Sequence, residues 1–304
     1  MRTSVLAAAL RPFLPSPTVA LAVCLGLWPV GARADRQLGV GVCLPEAPFA
    51  DALERHRTAK QVAQHLSHVL RRPVNGAAYI NPEDLRRDIR MGTLHFAVVG
   101  ALFAATVPRD QILAQGNTEE GDDWSILCRS RQELKDLKGK RLQIPALGPA
   151  TLSFVQNGVI GGRVDVKSHF KIQWSPDLLS AQLAVLLNQA DAVVAPISGQ
   201  ILVPVLPGYA VPPPAFVLVD RQVPAEVVEE ARRGFLSFRS KVGTVKGWVE
   251  PAPNTYRKLA AFTRKQELRM ELLPEAGIPL DVHDLIRKKS LLPRMPALEP
   301  LDVR

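Results

Sequence analysis

Aromatic residues make up only 6% of the 304-residue chain, and it has just three cysteines. So few rings leave no evident platform on which bases could stack. The basic residues are also dispersed, with Arg86, Arg87 and Arg90 in one segment, Arg232 and Arg233 in another, and Arg287, Lys288 and Lys289 near the C-terminus. Nucleic-acid binding needs a basic track interleaved with aromatics, so both features argue against it. No H-E-x-x-H, paired C-x-x-C, G-x-S-x-G, Walker loop or G-x-G-x-x-G occurs. The common zinc, serine-hydrolase, nucleotide-triphosphate and dinucleotide chemistries therefore lack their signatures. His65 and His68 share a helix face at i, i+3 and His56 lies nearby, but zinc needs a third ligand and an oriented outer shell that the pattern does not supply. Ser168 to Lys171 spells S-x-x-K without the S-D-N and K-T-G partners of penicillin-recognising enzymes, and Lys171 falls in an expected strand. The sequence thus predicts no catalysis, no metal and no cofactor.

Acid is missing from residues 1–34, which hold Arg2, Arg11 and Arg33 around an apolar run from Thr18 to Val30 that ends in Gly31-Ala32-Arg33-Ala34. A basic start, a short apolar core and small residues in an A-x-A arrangement read as a secretory signal cleaved after Ala34. The run is shorter than the roughly 20 residues of a membrane span, and Pro29 sits near its end. Lipidation at Cys24 would leave hydrophobic residues at the mature end, which argues against a lipoprotein. The full chain carries 38 basic and 29 acidic residues, a formal +9, and loss of the signal leaves 35 against 29, a formal +6. The mature chain is expected outside the cytoplasm, in the periplasm. There Cys43 and Cys128 can pair if the fold brings them together, or sit buried as small apolar residues.

Beyond the signal, strand and helix signals alternate. Leu38 to Cys43 reads as a strand, and Ala59, Val62, Leu66, Val69 and Leu70 recur at helical spacing within Asp51 to Leu70, with Arg55, Lys60 and Gln64 elsewhere on the wheel. Val74 to Ile80 is a second strand. Asn81 and Pro82 open a helix that Gly92 stops, and Leu94 to Gly100 is a third strand with the continuous apolar character of one buried on both faces. The grammar restarts with strands expected at Trp124 to Arg129, Arg141 to Ile144, Phe170 to Trp174 and Asp191 to Ala195. A short polar helix is expected over Ser130 to Leu137. Ser175 is the expected cap of a helix whose Leu178, Leu179, Leu183, Leu186 and Leu187 line one side. Ala215 to Val219 is a further strand, and Pro224 opens a helix to about Lys241. This order predicts an α/β fold of mostly parallel sheets. Two units with crossings near residues 125 and 215 give signal 1–34, a first lobe of 35–125 and 215–304, and a second lobe of 126–214; one large doubly wound domain is the competing arrangement. The tail from Ser290, with Pro293, Pro296 and Pro300, reads as extended or as a segment that docks on a partner.

Asp136-Leu137-Lys138-Gly139-Lys140-Arg141 resembles the "D-L-K-G-K-R" crossing segment of type II periplasmic solute-binding proteins, in particular the phosphate, phosphite and phosphonate group. Leu70 to Val74 is similar to the family's "L-G-x-P-V" with Arg71 at the usual Gly. Gly92 to Gly100 is similar to "G-x-x-D-x-A-x-x-G" with His95 at the usual acid, and Ala181 to Ala192 to "A-x-x-x-V-x-x-G-x-A-D-A" with Asn188 at the usual Gly. The resemblance implies the two-lobed type II periplasmic binding protein fold with two hinge crossings. It also implies a monomeric receptor that closes on a small anionic solute and hands it to an ABC transporter permease, or alternatively a sensor or accessory that regulates a membrane partner such as a kinase.

Ligand in such a fold lies between lobes at strand carboxyl ends and helix N-termini. On that basis the candidate second-lobe contacts are Ala150, Thr151 and Ser153, in a loop whose family counterpart is richer in hydroxyls, together with Trp174 and Ser175, where the phosphonate group often has Ser-His. Trp174 would cover ligand or fill core; Ser175 would donate to ligand or only cap a helix. The candidate first-lobe wall is Tyr79, the loop Leu44 to Phe49 and the turn Gly100 to Phe103, with Tyr79 equally readable as a structural tyrosine. Ala195-Pro196 replaces a commonly polar position and offers nothing to a cationic group.

Overall fold

In the computed structural model, residues 37–118, 122–148, 150–197 and 201–262 are described. The expected secretion signal and the Pro-rich tail lie outside them. Strand β1 (Leu38–Cys43) is buried along its whole length, and α1 (Ala52–Leu70) starts where the Asp51 carboxylate accepts the Glu54 N–H at 2.7 Å. Parallel pairing of β1 with β2 (Val74–Tyr79) on one side and β3 (Phe96–Val99) on the other forms the centre of a first sheet. Between β2 and β3, α2 (Pro82–Arg90) begins at Asn81, whose side chain accepts the Glu83 N–H, with Pro82 in the first turn. That is the cap and first-turn chemistry the sequence predicts.

After the short α3 (Ala101–Ala104), β4 (Ile112–Asn117) joins the same sheet, and the chain passes into β5 (Asp122–Cys128) of a second sheet. There β6 (Arg141–Pro145) pairs in parallel with β7 (Lys171–Ser175) and β8 (Ala192–Pro196), with the short α4 (Thr151–Phe154) and α5 (Val166–His169) between β6 and β7 and α6 (Leu178–Leu186) between β7 and β8, while β5 runs antiparallel to β8 and to the short β9 (Val203–Pro204) and β10 (Tyr209–Val211). Residues 212–214 lead back to β11 (Ala215–Leu218), then α7 (Ala225–Leu236) and β12 (Gly247–Val249) in the first sheet. The sheet orders are β12-β4-β11-β3-β1-β2 and β10-β5-β8-β6-β7. One apolar cluster packs α1 and α7 onto the first sheet around Phe96, Phe216 and Phe235; a second runs without a break from Leu85, Leu94 and Phe103 to Trp124, Phe154 and Val194 of the other sheet.

Two family-pattern departures have a common geometric basis. Arg71, with φ 49°, and Asn188, with φ 62°, are the non-glycine residues with positive φ among those described, and they stand where the resembled motifs carry Gly. Each follows a helix, α1 or α6 (Leu178–Leu186), and turns the chain in the left-handed region, where Gly carries no Cβ penalty and Asn a reduced one. The left-handed region costs an ordinary residue roughly 1–2 kcal/mol, partly offset because Gly loses more freedom on folding. Arg71→Gly is therefore expected to stabilise by up to about 1 kcal/mol and Asn188→Gly by less. Urea titration of the two variants, with unequal gains in that order, is the check.

Some elements differ from expectation. The Ser130–Leu137 segment forms only a 3-10 turn at Leu134–Leu137, closed by reciprocal side-chain bonds of Glu133 and Asp136. The helix after Pro224 stops at Leu236 rather than near Lys241, and Gly243 turns the chain at φ 59°. On α6 the buried residues are Leu178, Ala181, Ala184 and Val185, while Leu179, Leu183, Leu186 and Leu187 are exposed. Leucine pairs at 178–179 and 186–187 straddle two faces of a helix, and the alanines allow close approach to β6 and β8. Both Cys43 and Cys128 are buried, unpaired thiols. Burial raises both, more for Cys43, where the Glu46 carboxylate adds to it, and it pushes Cys128 up to about 11.

Candidate functional site

The carboxyl ends of β1, β2 and β3 open toward the second sheet, and those of β6 and β7 open toward the first. Three contacts show the two sets of loops meeting. The backbone N–H of Leu178, at the start of α6, donates to the Pro45 carbonyl at 3.1 Å. Arg55 of α1 pairs with Asp177 across 3.6 Å. A Cβ placed on Gly148, in the loop after β6, would stand 4.0 Å from Pro82 at the start of α2.

Each sequence-predicted residue lies at or beside one of these strand ends, in a distinct environment. Ala150 is buried at the N-cap of α4 (Thr151–Phe154) and offers no side-chain acceptor. Thr151 is fully buried, and its hydroxyl donates to the Gly148 carbonyl, which closes the preceding loop. Ser153 is half-buried, and its carbonyl accepts from Asn157 Nδ2 at 3.0 Å. The helix continues beyond Phe154 as a π turn, Val155–Val159, pinned by Gln156, whose side chain bonds the Val164 carbonyl and the Val166 N–H. Such turns widen a helix by inserting a residue and recur at functional sites.

Trp174 is 56% exposed on the edge strand β7, in register with Ile144. Ser175 is buried within β7 and donates to Gln143 Oε1 at 2.6 Å; Gln143 Nε2 in turn donates to Gln173 Oε1 at 3.1 Å. The cap of α6 is Asp177 rather than Ser175. Extended backbone at Asp177 places its carboxylate on the Ser180 N–H at 2.8 Å, one turn beyond where the strand ends.

Tyr79 is buried, and its hydroxyl donates to the Asp88 carboxylate at 2.5 Å. Burial and then that acceptor hold the phenol well above its ordinary value. Gly100 starts α3, and a Cβ there would lie 2.0 Å from Glu46 Oε1, so the Glu46 carboxylate sits against this glycine and a larger residue would displace that side chain. Negative charge at a helix start is favourable, and Glu46 also raises the Cys43 thiol and the Tyr256 phenol, after burial in each case.

The sequence reading missed Pro45, Glu46, Arg55 and Asp177 as individual residues. Two had a usable signal. Asp177 directly precedes an apolar helical run, the position of a strong cap. Arg55 is 8% exposed and falls in the Arg55, Ala59, Val62, Leu66 stripe, so it is a charge set into the apolar face rather than elsewhere on the wheel. Its guanidinium lies 5.4 Å from the centre of the Phe49 ring, which stacks a cation over the first-lobe loop.

Two concave sites lie elsewhere. One, of about 350 Å³, is lined by Arg129, Ser130, Gln132, Lys140 and Asp191. The other, of about 460 Å³, lies between residues 104–112 and 251–261. None of the seven candidate residues lines either. Among the described residues, no group of three or more His, Cys, Asp or Glu is placed to hold a metal ion, and no helix is long and apolar enough to cross a membrane.

No protein-family model matches the chain, and no curated protein matches it. Solved structures do. PhnD1 from Prochlorococcus marinus, in complex with methylphosphonate, superposes with a TM-score of 0.59 at 16% identity, over 76% of this chain and 98% of that one. A binding-protein component of an ABC phosphonate transporter from Pseudomonas aeruginosa gives 0.59 at 13% identity, over 84% and 95%. A Xanthomonas citri protein bound to ATP gives 0.58 at 12% identity, over 76% and 98%. The likeness is one of fold: a mixed α/β chain with two sheets in the two-lobed arrangement of periplasmic binding proteins.

Proposed function

We propose that the protein is a periplasmic solute-binding receptor, matured by cleavage after Ala34, whose lobes close on a small oxyanion of the phosphate or phosphonate class. In this reading it is a monomer that performs no catalysis and presents the captured solute to an ABC transporter permease. The observation that carries the proposal is the apposition of strand carboxyl ends from two sheets joined by two short connectors, where solute-binding folds take their ligands. We assign the exchanges between lobes to the connector between β4 and β5 and to residues 212–214. Ala150, Thr151, Ser153, Trp174 and Ser175 form the second-lobe wall, and Tyr79 and Gly100 the first-lobe wall. Support for an oxyanion comes from similarly folded proteins bound to methylphosphonate or ATP, both of which carry tetrahedral phosphorus groups.

One observation favours a second reading. The helix starts nearest the cleft already hold the chain's own carboxylates, Glu46 at α3 and Asp177 at α6. A cleft partly satisfied by its own groups suits a sensor or accessory that regulates a membrane partner such as a kinase.

Isothermal titration of the mature protein against methylphosphonate, phosphate, phosphite and small sulfonates discriminates the two. The receptor reading expects one saturable site, and expects Trp174→Ala to weaken it about fivefold, on the order of 1 kcal/mol for an aromatic cover, with the melting temperature unchanged. Absence of both heat and thermal shift with all four classes would leave the sensor reading in its place.

A further inference from the structure

Beyond β12 the chain runs back across the molecule. The Ala252 N–H and the Thr255 hydroxyl both donate to Gln115 Oε1 of β4, at 3.0 and 2.9 Å. Tyr256, buried, donates its hydroxyl to the Pro213 carbonyl at 2.9 Å, in the connector between the sheets. Phe262 reaches the second sheet, with its ring centroid 6.0 Å from that of Tyr209. Residues 251–261 thus form a strap over the hinge, and beneath it lies the groove of about 460 Å³. That volume is typical of small-ligand sites, roughly 300–1,000 Å³. Part of its lining is apolar, with Ala104, Ala105, Val107 and Ile112, and part is polar, with Asn254, Thr255 and the two arginines Arg109 and Arg257. Among the described residues neither arginine has an ion-pair partner. A groove that joins an apolar side to a side carrying two cations selects for a molecule with the matching arrangement: an apolar body and an anionic head.

We propose that this groove is a second ligand site, on the hinge side of the molecule and apart from the interlobe cleft, that takes a small amphiphilic anion such as a medium-chain carboxylate or sulfonate. Because one wall of the groove is the segment that bonds the Pro213 carbonyl, occupancy acts on the hinge through Tyr256. Which solute the cleft takes does not alter the chemistry that this groove selects.

Octanoate titrated into the mature protein tests the assignment, with octan-1-ol as the headless control. The expected result is one saturable octanoate site, about tenfold or more weaker in R109Q/R257Q, as loss of charge-assisted contacts requires, and weak or unsaturable binding of octan-1-ol. Ala261→Trp, at an exposed position on the groove wall, is expected to block the site without touching either arginine. Leu187→Ala, exposed just after α6 and away from the groove, is expected to leave octanoate affinity within about twofold. Tyr256→Phe should retain binding but lose the octanoate-induced change in interlobe distance read by dipolar spectroscopy. Unsaturable octanoate binding, equal affinity in R109Q/R257Q, or loss of affinity in Leu187→Ala instead would overturn the assignment; an unchanged distance response in Tyr256→Phe would overturn the coupling.

Discussion

Phe235→Ala is expected to lower the stability of the first lobe by about 3–5 kcal/mol, the range for emptying a fully buried phenylalanine site. Phe235 of α7 stacks on Phe216 of β11 with centroids 3.8 Å apart and planes 13° apart. It meets Trp248 of β12 edge-on at 4.6 Å and Phe238 at 5.4 Å. The ring therefore joins two strands and a helix that come late in the chain to a sheet whose first three strands come early. Its loss leaves a cavity that rigid neighbouring rings cannot collapse into. Phe235→Leu keeps most of the volume and should cost less than half as much. Leu187→Ala, at a position 64% exposed just after α6, should change stability by less than about 0.5 kcal/mol. Guanidinium titration followed by tryptophan fluorescence reads all three, and a cost below about 1 kcal/mol for Phe235→Ala would contradict the packing described.

Asp177→Ala is expected to shift the lobes toward the open arrangement by about 1–2 kcal/mol, a change of roughly 5- to 30-fold in the equilibrium. Two losses follow, and one of them acts between the lobes. The α6 cap bond to Ser180 lies within one lobe, so its loss lowers the stability of open and closed forms alike by about 1 kcal/mol, whereas Arg55, whose side chain is only 10% exposed, loses the carboxylate facing it from the other lobe. The 3.6 Å separation and the 21% exposure of the Asp177 side chain keep the ion-pair contribution at the low end for a partly buried pair. Asp177→Asn separates the two, because asparagine caps a helix as well as aspartate while removing the charge. Small-angle scattering should then show Asn about as open as Ala, while urea titration shows Asn the more stable of the two by about the worth of the cap. Equal compactness in all three proteins would mean that Arg55 and Asp177 do not hold the lobes together.

Much of the fold could be read because its signals were local. The Ala59, Val62, Leu66 stripe, the Asn81-Pro82 start and the continuous apolar run of β3 each follow from a single segment, and each is in the structure as expected. Even Arg71 and Asn188, which depart from the resembled glycines, mark left-handed turns. What could not be read depends on distant partners. The leucines of α6 fit two faces equally, and contact with β6 and β8 chooses between them. Ser175 follows the strand pattern as well as the capping pattern, and only Gln143, 32 residues earlier, shows where its hydroxyl goes. Glu46 at Gly100 and Arg55 at Asp177 join segments far apart in the chain, so no window of sequence contains either pair. The cleft is therefore the least legible part of the molecule, because each of its walls is assembled from several separate loops.

Solute binding is expected to close the two lobes. With spin labels at Lys60→Cys on α1 and Leu187→Cys after α6, both exposed positions on opposite lobes, dipolar spectroscopy follows the interlobe distance while methylphosphonate is added to the mature protein. Two distance populations are expected, with the shorter growing saturably as ligand is added and the longer enriched by Asp177→Ala. A distance distribution that stays fixed through saturating ligand would contradict it.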